Sequence, residues 1–176
     1  MKSTGTDVPG AVSAASASRS MCVCTGLPPL FLDRLGQALR EAQRRREPFT
    51  VAMLDLDRFR EANNRHGHLA GDAVLQAVAA RTRGCVRDAD TVARIGGDEF
   101  GLILSGAGAA AAARVLEKVV AANAAPVSFQ GHELSVGVSI GACTYPDGAS
   151  DELELRSRAD LRMYDAKRAG GNRYVL

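Results

Sequence analysis

A strong imbalance of charge is absent from this sequence of 176 residues. Its 22 lysine and arginine residues are nearly matched by 20 aspartate and glutamate residues, which leaves a net charge of +2. Proteins that bind polynucleotides usually carry a dense basic stripe, and no such stripe is present. A nucleic-acid polymer is therefore not an expected partner.

Cysteine is scarce, and long apolar runs are missing. The four cysteines are Cys22, Cys24, Cys85 and Cys143, with no C-x-x-C pair and no matching histidine cluster. Neither a zinc site nor a disulfide framework is predicted from them, and reduced thiols are the simplest interpretation. No apolar run approaches the ~20 residues that cross a bilayer, and residues 1–20 lack the apolar stretch of a signal peptide. We expect a soluble, cytoplasmic protein without a membrane segment.

The composition that remains is that of an ordinary globular domain, 46% hydrophobic and 24% charged. A chain of this length fits one domain, which can bury about 70% of its unfolded surface without a metal or disulfide staple. Residues 1–20 are mostly serine, alanine, glycine and threonine, and they bury too little apolar surface to offset the entropy of ordering. We expect a flexible tail over residues 1–20 and one domain over residues 21–176.

Hydrophobic periodicity predicts alternating helices and strands. A helix from Phe31 to the basic run before Pro48 precedes a buried strand that begins at Phe49 and ends in acidic residues. A polar loop then leads to Asp72, the predicted N-cap of a second helix that ends near Gly84. The remaining predicted elements are a hairpin with strands at 92–95 and 100–104, a helix at 109–122, a second hairpin with alternating apolar residues from 134 to 142, a helix that ends at 170–171, and a strand at 173–176. This order predicts a layered α/β domain in which one sheet carries helices.

Acidic residues end two neighbouring predicted strands. Asp55 follows the first strand, and Asp98 lies in the glycine turn of the first hairpin. Because Mg²⁺ prefers one or two carboxylates together with phosphate oxygens, this pair indicates phosphoryl or nucleotidyl transfer. Strand-end acids are also commonly solvated loop residues, so their spacing alone leaves both interpretations open.

A family resemblance separates the two interpretations. The segment Arg94-Ile95-Gly96-Gly97-Asp98-Glu99-Phe100 resembles the signature of the GGDEF family, the diguanylate cyclases that make cyclic di-GMP from two GTP molecules. Further matches occur in the order and spacing of the family, from about residue 22 to the end: Thr25-Gly26-Leu27-Pro28, Asp55-Leu56-Asp57-Arg58-Phe59-Arg60 with Asn63, Gly67-His68, Gly71-Asp72, Ser139-Ile140-Gly141, Ala159-Asp160, Tyr164 and Ala166-Lys167.

The resemblance implies both a fold and an activity. The fold is α/β, with a central, mostly antiparallel sheet flanked by helices, similar to the palm domains of nucleotide cyclases and polymerases. The implied enzyme is a diguanylate cyclase, a nucleotidyltransferase that condenses two GTP into cyclic di-GMP and releases pyrophosphate. It depends on Mg²⁺ or Mn²⁺ and works as a homodimer, because one nucleotide pocket cannot align two identical substrates for reciprocal attack.

The resemblance also assigns roles to residues of the site. The implied metal ligands are Asp55, the carbonyl of Leu56, and Asp98, all hard oxygen donors. Asp98 and Glu99 are the implied catalytic residues, and Glu99 or a metal-bound hydroxide is the candidate base for the ribose 3′-hydroxyl. The implied substrate-binding residues are Phe59, Arg60, Asn63, His68, Asp72, Gly96, Gly97 and Lys167.

Several of these substrate roles have a chemical reason. Asn63 and Asp72 can read the guanine edge with an amide and a carboxylate. The two glycines let the backbone approach the nucleotide without a β-carbon. His68 is a candidate to line the pocket, with a purely structural histidine as the alternative.

A second site, for product inhibition, is implied by an R-x-x-D pattern. Arg87 and Asp90 stand at the family's distance before Gly96, and Lys118 is a candidate second cation. An arginine fork suits phosphate and a carboxylate suits guanine. The alternative interpretation of the pattern is an exposed salt bridge of little energetic consequence.

Two departures from the family pattern keep other functions open. Gly171 stands where the family has an arginine, and the segment from Cys22 to Leu30 lacks a leading acid and an Asn-Arg-Arg run. A catalytically weak module that binds cyclic di-GMP or GTP as a regulatory sensor is therefore the main alternative. A cyclase that acts on a single purine triphosphate is a third, because that chemistry also uses two carboxylates.

Overall fold

The computed structural model describes residues 28–176, so the predicted tail and the altered residues 22–27 lie outside it. Its helices are α1 (Pro28–Arg45), α2 (Phe59–His66), α3 (His68–Cys85), α4 (Ala109–Asn123) and α5 (Glu152–Arg168). Its strands are β1 (Phe49–Asp57), β2 (Thr91–Gly96), β3 (Glu99–Ser105), β4 (Val127–Phe129), β5 (His132–Leu134), β6 (Gly137–Tyr145) and β7 (Arg173–Val175). None of the helices in this part of the chain combines the length and the apolar character that a membrane crossing requires.

A five-stranded sheet in the order β2-β3-β1-β6-β7 forms the centre of the domain. Every pairing in it is antiparallel except that of β6 with β7, which is parallel. Strands β4 and β5 form a separate antiparallel hairpin. The predicted α/β fold with a central, mostly antiparallel sheet flanked by helices is confirmed.

The central strand β1 is buried along almost its whole length, because it has a paired neighbour on each edge and helices over both faces. Its alternate side chains enter two different cores. Leu54 packs with Val74 and Leu116 from α3 and α4. Val51 packs with Leu35 and Leu155 from α1 and α5. By the same alternation, the acidic side chain that follows Val51 and Met53 lies on the α5 side of the sheet.

The polar segment after β1 differs from its prediction. The expected loop with Asp72 as a helix N-cap is wrong, because α2 and α3 fill this stretch and leave only Gly67 between them. Gly67 has a φ of +84°, which ends α2 at once, and its N–H donates to the carbonyl of Asn63. Apolar side chains such as Phe59 and Val74 pack one face of each helix against the core, and this packing outweighs the polar local sequence.

The second predicted hairpin is also divided differently. The side chains at 134, 136, 138, 140 and 142 alternate into the core as predicted. They belong to two sheets, however, because β5 ends at Leu134 and β6 begins at Gly137 beside β1. Alternation fixes which side chains point inward, but it does not identify the partner strand.

The crossing of α5 over β6 depends on Gly141. A β-carbon there would overlap the main-chain nitrogen of Met163 and the carbonyl oxygen of Ala159, neither of which can rotate away. We expect Gly141→Ala to lower the free energy of unfolding by about 1–3 kcal/mol or more, as overpacking does. Urea denaturation measures the change.

Gly84→Ala is the matched control, because a β-carbon at that helical position meets nothing within 4 Å. This variant should be neutral or more stable by up to about 1 kcal/mol, since alanine is the better helix former. Equal losses for the two variants would contradict the close contact at Gly141.

Candidate active site at the end of the central strands

Strand register places three acidic residues at one end of the sheet. Asp55 on β1 lies opposite Glu99 on β3 and opposite Ser139 on β6. The N–H of Leu56 donates to the carbonyl of Asp98 over 3.3 Å, which attaches the tip of the β2–β3 hairpin to β1. Residues that are far apart in the sequence thus form one acidic cluster.

The tip of this hairpin is stabilised by a hydrogen bond from an arginine side chain of β2 to the main chain of the turn. The register shifts between Arg94 and Gly96, and Gly97 has a φ of +41°. The Arg94 Nε donates to the carbonyl of Gly97 over 2.8 Å and closes the turn. A β-carbon at either glycine would meet nothing within 4 Å, so the tip faces open space that a ligand can enter.

Lysine from α5 reaches the acidic cluster. The Lys167 Nζ lies 2.6 Å from Oδ1 of Asp55, whose residue is 7% exposed. The side chain of Lys167 remains 38% exposed. Lys167 is an implied substrate-binding residue, and in this structure its charge compensates the buried carboxylate.

Burial, together with the crowding of negative charge, shifts the pKa values of two acids in this cluster. Burial raises the pKa of Asp55, and the charges of Asp98 and Asp57 raise it further, while Lys167 lowers it. Loss of hydration at the sheet edge also raises the pKa of Glu99, with further contributions from Asp55, Asp98 and Asp160 that Lys167 opposes. A divalent cation would relieve this repulsion.

The donors present suit Mg²⁺. Asp55, Asp98 and the carbonyl of Leu56 are hard oxygen ligands close to one another. Nowhere in residues 28–176 do three carboxylate, imidazole or thiol side chains converge on one point. Mg²⁺ usually binds one or two protein carboxylates and keeps waters and substrate phosphates as its remaining ligands, so the donors present are sufficient for it.

The residues assigned to guanine lie on α2 and α3. Asn63 is half-buried against Gly71, and its Oδ1 has no hydrogen-bond partner in the described part of the chain. His68 and Asp72 are exposed on the first turns of α3. A buried acceptor without a partner costs about 1–3 kcal/mol, so Asn63 gains from any ligand that donates to it.

Phe59 and Arg60 begin α2. The Phe59 ring is 8% exposed and packs in the core, so only its main-chain N–H remains for a substrate. Arg60 is exposed on the same turn. The first N–H groups of a helix have no intrahelical acceptor, which makes this turn suitable for an anion.

The side chains of Arg87 and Asp90, the two residues of the R-x-x-D pattern, do not form the salt bridge that the alternative interpretation predicted. Asp90 is 8% exposed, and its two carboxylate oxygens accept from the N–H groups of Arg87 (2.9 Å) and Ser105 (3.0 Å). The five ion pairs of residues 28–176 do not include Arg87. Lys118 is exposed on α4, and its charge lowers the pKa of the Cys85 thiol, which burial raises. Arg87 and Lys118 therefore keep exposed cationic groups on neighbouring segments.

Sequence reasoning missed the structural role of Asp57. Its Oδ1 accepts from the Ser139 hydroxyl at 2.6 Å, and its Oδ2 accepts from the N–H of Asn172 at 2.7 Å. Asp57 thus joins the end of β1 to β6 and to the turn after α5. Strand alternation was the available signal, because it puts Asp57 on the same face as Asp55. A cavity of about 300 Å³ opens beside this junction, lined by Asp57, Arg58, Ala124, Ser135, Val136, Gly137, Gly170 and Asn172.

An antiparallel sheet that ends in clustered carboxylates beside an open glycine turn defines a palm-type domain of the nucleotide cyclase class. Within that class, the chain belongs to the GGDEF family: the family model for the diguanylate cyclase GGDEF domain matches residues 23–173.

Curated relatives are longer than this chain. Diguanylate cyclase TpbB of Pseudomonas aeruginosa is 44% identical over 154 residues, which are 85% of this chain and 35% of that protein. MucR of the same organism, a bifunctional diguanylate cyclase and cyclic di-GMP phosphodiesterase, is 42% identical over 154 residues, or 86% of this chain and 22% of that protein. The chain therefore spans only about a third or less of the length of these relatives.

Solved structures share the fold. The GGDEF domain of TpbB superposes with a TM-score of 0.84 at 39% identity, covering 88% of this chain and 97% of that one. The GGDEF domain of DgcB from Caulobacter crescentus, solved in complex with c-di-GMP, has a TM-score of 0.77 at 29% identity and covers 84% and 88% of the two chains.

The structure gives a reason why a side chain is absent at Gly171. Its φ is +72°, and a β-carbon there would lie 2.7 Å from Oδ2 of Asp57. Gly106 has a similar φ of +65° but has nothing within 4 Å of a β-carbon, so it is a matched control. We expect Gly106→Ala to cost about 1–2 kcal/mol from backbone conformation alone.

Gly171→Ala should cost more than Gly106→Ala, because it also crowds Asp57. The difference between their free energies of unfolding, measured in urea, isolates that contact. Equal losses would show that Asp57 can move aside.

Proposed function

We propose that this domain is a diguanylate cyclase that condenses two GTP into cyclic di-GMP with release of pyrophosphate. The observation that carries the proposal is the cluster of Asp55, Asp98 and Glu99 beside Lys167 and an open glycine turn. In each of two equivalent steps, a ribose 3′-oxygen forms a bond to an α-phosphorus and the bond to the pyrophosphate oxygen breaks.

Glu99 is the proposed acceptor of the 3′-hydroxyl proton. Its position opposite Asp55 puts its carboxylate at the sheet edge where the α-phosphate would lie, as a general base requires. Mg²⁺ (or Mn²⁺), held by Asp55, Asp98 and the Leu56 carbonyl, would supply positive charge to the phosphate oxygens. Asp98 holds its place through the bond of its carbonyl to the N–H of Leu56.

Guanine selection is assigned to Asn63 and Asp72, with His68 beside them. The Asn63 Oδ1 has no hydrogen-bond partner among residues 28–176, and Asp72 offers an exposed carboxylate one turn of α3 beyond His68. Guanine has N–H donors at N1 and N2 that two such acceptors can bind, whereas adenine has no N1 proton. The pair therefore favours GTP over ATP.

The triphosphate is assigned to the start of α2 and the end of α5. Lys167 can exchange its contact with Asp55 for a phosphate once a divalent cation neutralises that carboxylate. Arg60 and the N–H of Phe59 lie at the start of α2, and the hairpin glycines 96 and 97 leave room for the nucleotide. The cavity beside Arg58 and Asn172 can take the terminal phosphates.

Catalysis requires a homodimer, because each chain has one such site and two GTP molecules must attack each other. The two sheet edges would face each other with one GTP on each. Substrate and product are soluble nucleotides, and we place the reaction in the cytoplasm. No nucleic-acid polymer takes part.

A regulatory sensor that binds GTP or cyclic di-GMP with little turnover is the second candidate. The observation that favours it is Gly171, where backbone conformation and the nearby Asp57 carboxylate leave no side chain to hold a phosphate. The intact acidic cluster favours the enzyme. Chromatography of the nucleotides after incubation with GTP and Mg²⁺ separates the two, since only the enzyme makes cyclic di-GMP.

Removing the charge of either proposed metal ligand should abolish turnover. We expect Asp55→Asn and Asp98→Asn each to lower the rate of cyclic di-GMP formation by at least about 100-fold, the low end for one group that stabilises charge in a transition state. Glu99→Gln should lower the rate by about 10²–10⁴-fold with a smaller change in GTP affinity, as loss of a general base does. Asp147→Asn is the control, because Asp147 is exposed in the turn after β6, at the opposite end of the sheet from Asp55. Wild-type rates in the first two variants would refute the metal assignment.

Activity per chain should rise with protein concentration, because mass action assembles the two half-sites. Initial rates over a dilution series, with sedimentation at the same concentrations, measure this dependence. A constant rate per chain in samples that sediment as monomers would exclude reciprocal catalysis between two copies.

Product inhibition is assigned to Arg87 and Asp90, with Lys118. Arg87 is exposed and outside the ion pairs of the described residues, so its guanidinium can bind a phosphate. Asp90 stabilises the turn because its carboxylate accepts hydrogen bonds from the N–H groups of Arg87 and Ser105. The GGDEF domain of DgcB, a family member, is solved in complex with c-di-GMP.

We expect Arg87→Ala to weaken cyclic di-GMP binding and to raise product accumulation, while GTP affinity stays near wild type. Arg114→Ala, which removes an exposed cation from α4, is the control. Calorimetric titration with cyclic di-GMP measures both variants. Equal affinities for wild type and Arg87→Ala would remove this arginine from the inhibitory site.

A further inference from the structure

Two histidines from different elements meet on the surface away from the acidic cluster. His66 is the last residue of α2, and His132 is the first residue of β5 in the small hairpin. Their ring centroids lie 5.1 Å apart, with the ring planes at 47°. His66 is half-buried and His132 is exposed, so both rings can reach solvent.

This separation matches joint ligation of one ion. Two imidazoles on one tetrahedral Zn²⁺, with Zn–N bonds of about 2.0–2.1 Å, hold their ring centroids roughly 5 Å apart.

We infer that His66 and His132 form a two-histidine site for a divalent transition cation, with Zn²⁺ as the representative ion. Neutral imidazole is a ligand that Zn²⁺, Ni²⁺ and Cu²⁺ favour, whereas Mg²⁺ and Ca²⁺ prefer oxygen, so this site and the carboxylate cluster select different ions. No third carboxylate, imidazole or thiol of residues 28–176 converges on the pair, so water completes the coordination.

Such a site would add a link at the surface between two elements that already share an apolar core. The β4–β5 hairpin lies outside the five-stranded sheet, and α2 carries Asn63 one turn before His66. A bound ion would fasten the hairpin to the end of α2 at its junction with α3. The cysteine spacing predicted no zinc site, and this one depends on tertiary structure because its two ligands lie far apart in the sequence.

Site-resolved NMR tests the inference directly. Zn²⁺ is titrated into protein labelled on the histidine ring nitrogens, with Mg²⁺ in excess and with Cys22→Ser and Cys24→Ser in place so that those thiols do not compete. We expect the His66 and His132 ring signals to shift together and to saturate at one ion per chain. Independent responses, or no response from one ring, would overturn the proposal.

Matched variants give the second readout. His66→Gln and His132→Gln should each lower Zn²⁺ affinity by more than the roughly tenfold that loss of even an outer partner of a metal ligand costs. His68→Gln, two residues along the chain, should leave the affinity unchanged. Zn²⁺ should also raise the melting temperature of the parent protein but not of the first two variants, because a ligand of the folded state stabilises it. Unchanged affinity in either of the first two variants, or an equal loss in His68→Gln, would refute the site.

Discussion

The register of β1 against both of its neighbours determines where every acidic group of the site lies. Because side chains alternate between faces, a slip of one residue would move Asp55 to the opposite side of the sheet. The apolar residues of β1 oppose such a slip, since Leu54 and Val51 belong to cores on opposite faces. The same interlocking places Asp55 opposite Glu99 and lets Leu56 bond to Asp98. The site is therefore positioned by hydrophobic packing that begins several residues away from it.

The cost of gathering these acids is met in two different ways. Asp55 is compensated by the ammonium of Lys167, a charged partner that can move because its side chain is partly exposed. Asp57 is compensated by the Ser139 hydroxyl and the Asn172 N–H, neutral donors fixed in the fold. A buried carboxylate needs one form of compensation or the other. Lys167, the mobile partner, lies beside Asp55, which is assigned to the metal. The fixed donors lie beside Asp57, which joins β1, β6 and the turn after α5.

Much of this arrangement could be predicted from the sequence, because its signals are local. The apolar run before Asp55, the glycine turn before Asp98 and the periodicity of α5 each predicted their own element. Helix α2 and the first turn of α3 were missed, because tertiary packing of Phe59 and Ala70 overrides a polar local sequence. The contact of Lys167 with Asp55, the hydrogen bonds of Asp57 and the meeting of His66 with His132 depend on side chains from distant segments, which no local pattern reports.

The bond between Asp57 and Asn172 has a consequence for how the protein is made. It spans 115 residues of sequence. At translation rates of about 5–20 residues per second, the ribosome needs roughly 6–23 s to add the second partner after the first. Once β3 has been made, β1 can pair with it, but for the rest of that interval the far wall of the proposed nucleotide site does not yet exist. The proposed nucleotide site of a nascent chain is therefore incomplete until α5 and the turn that follows it have emerged.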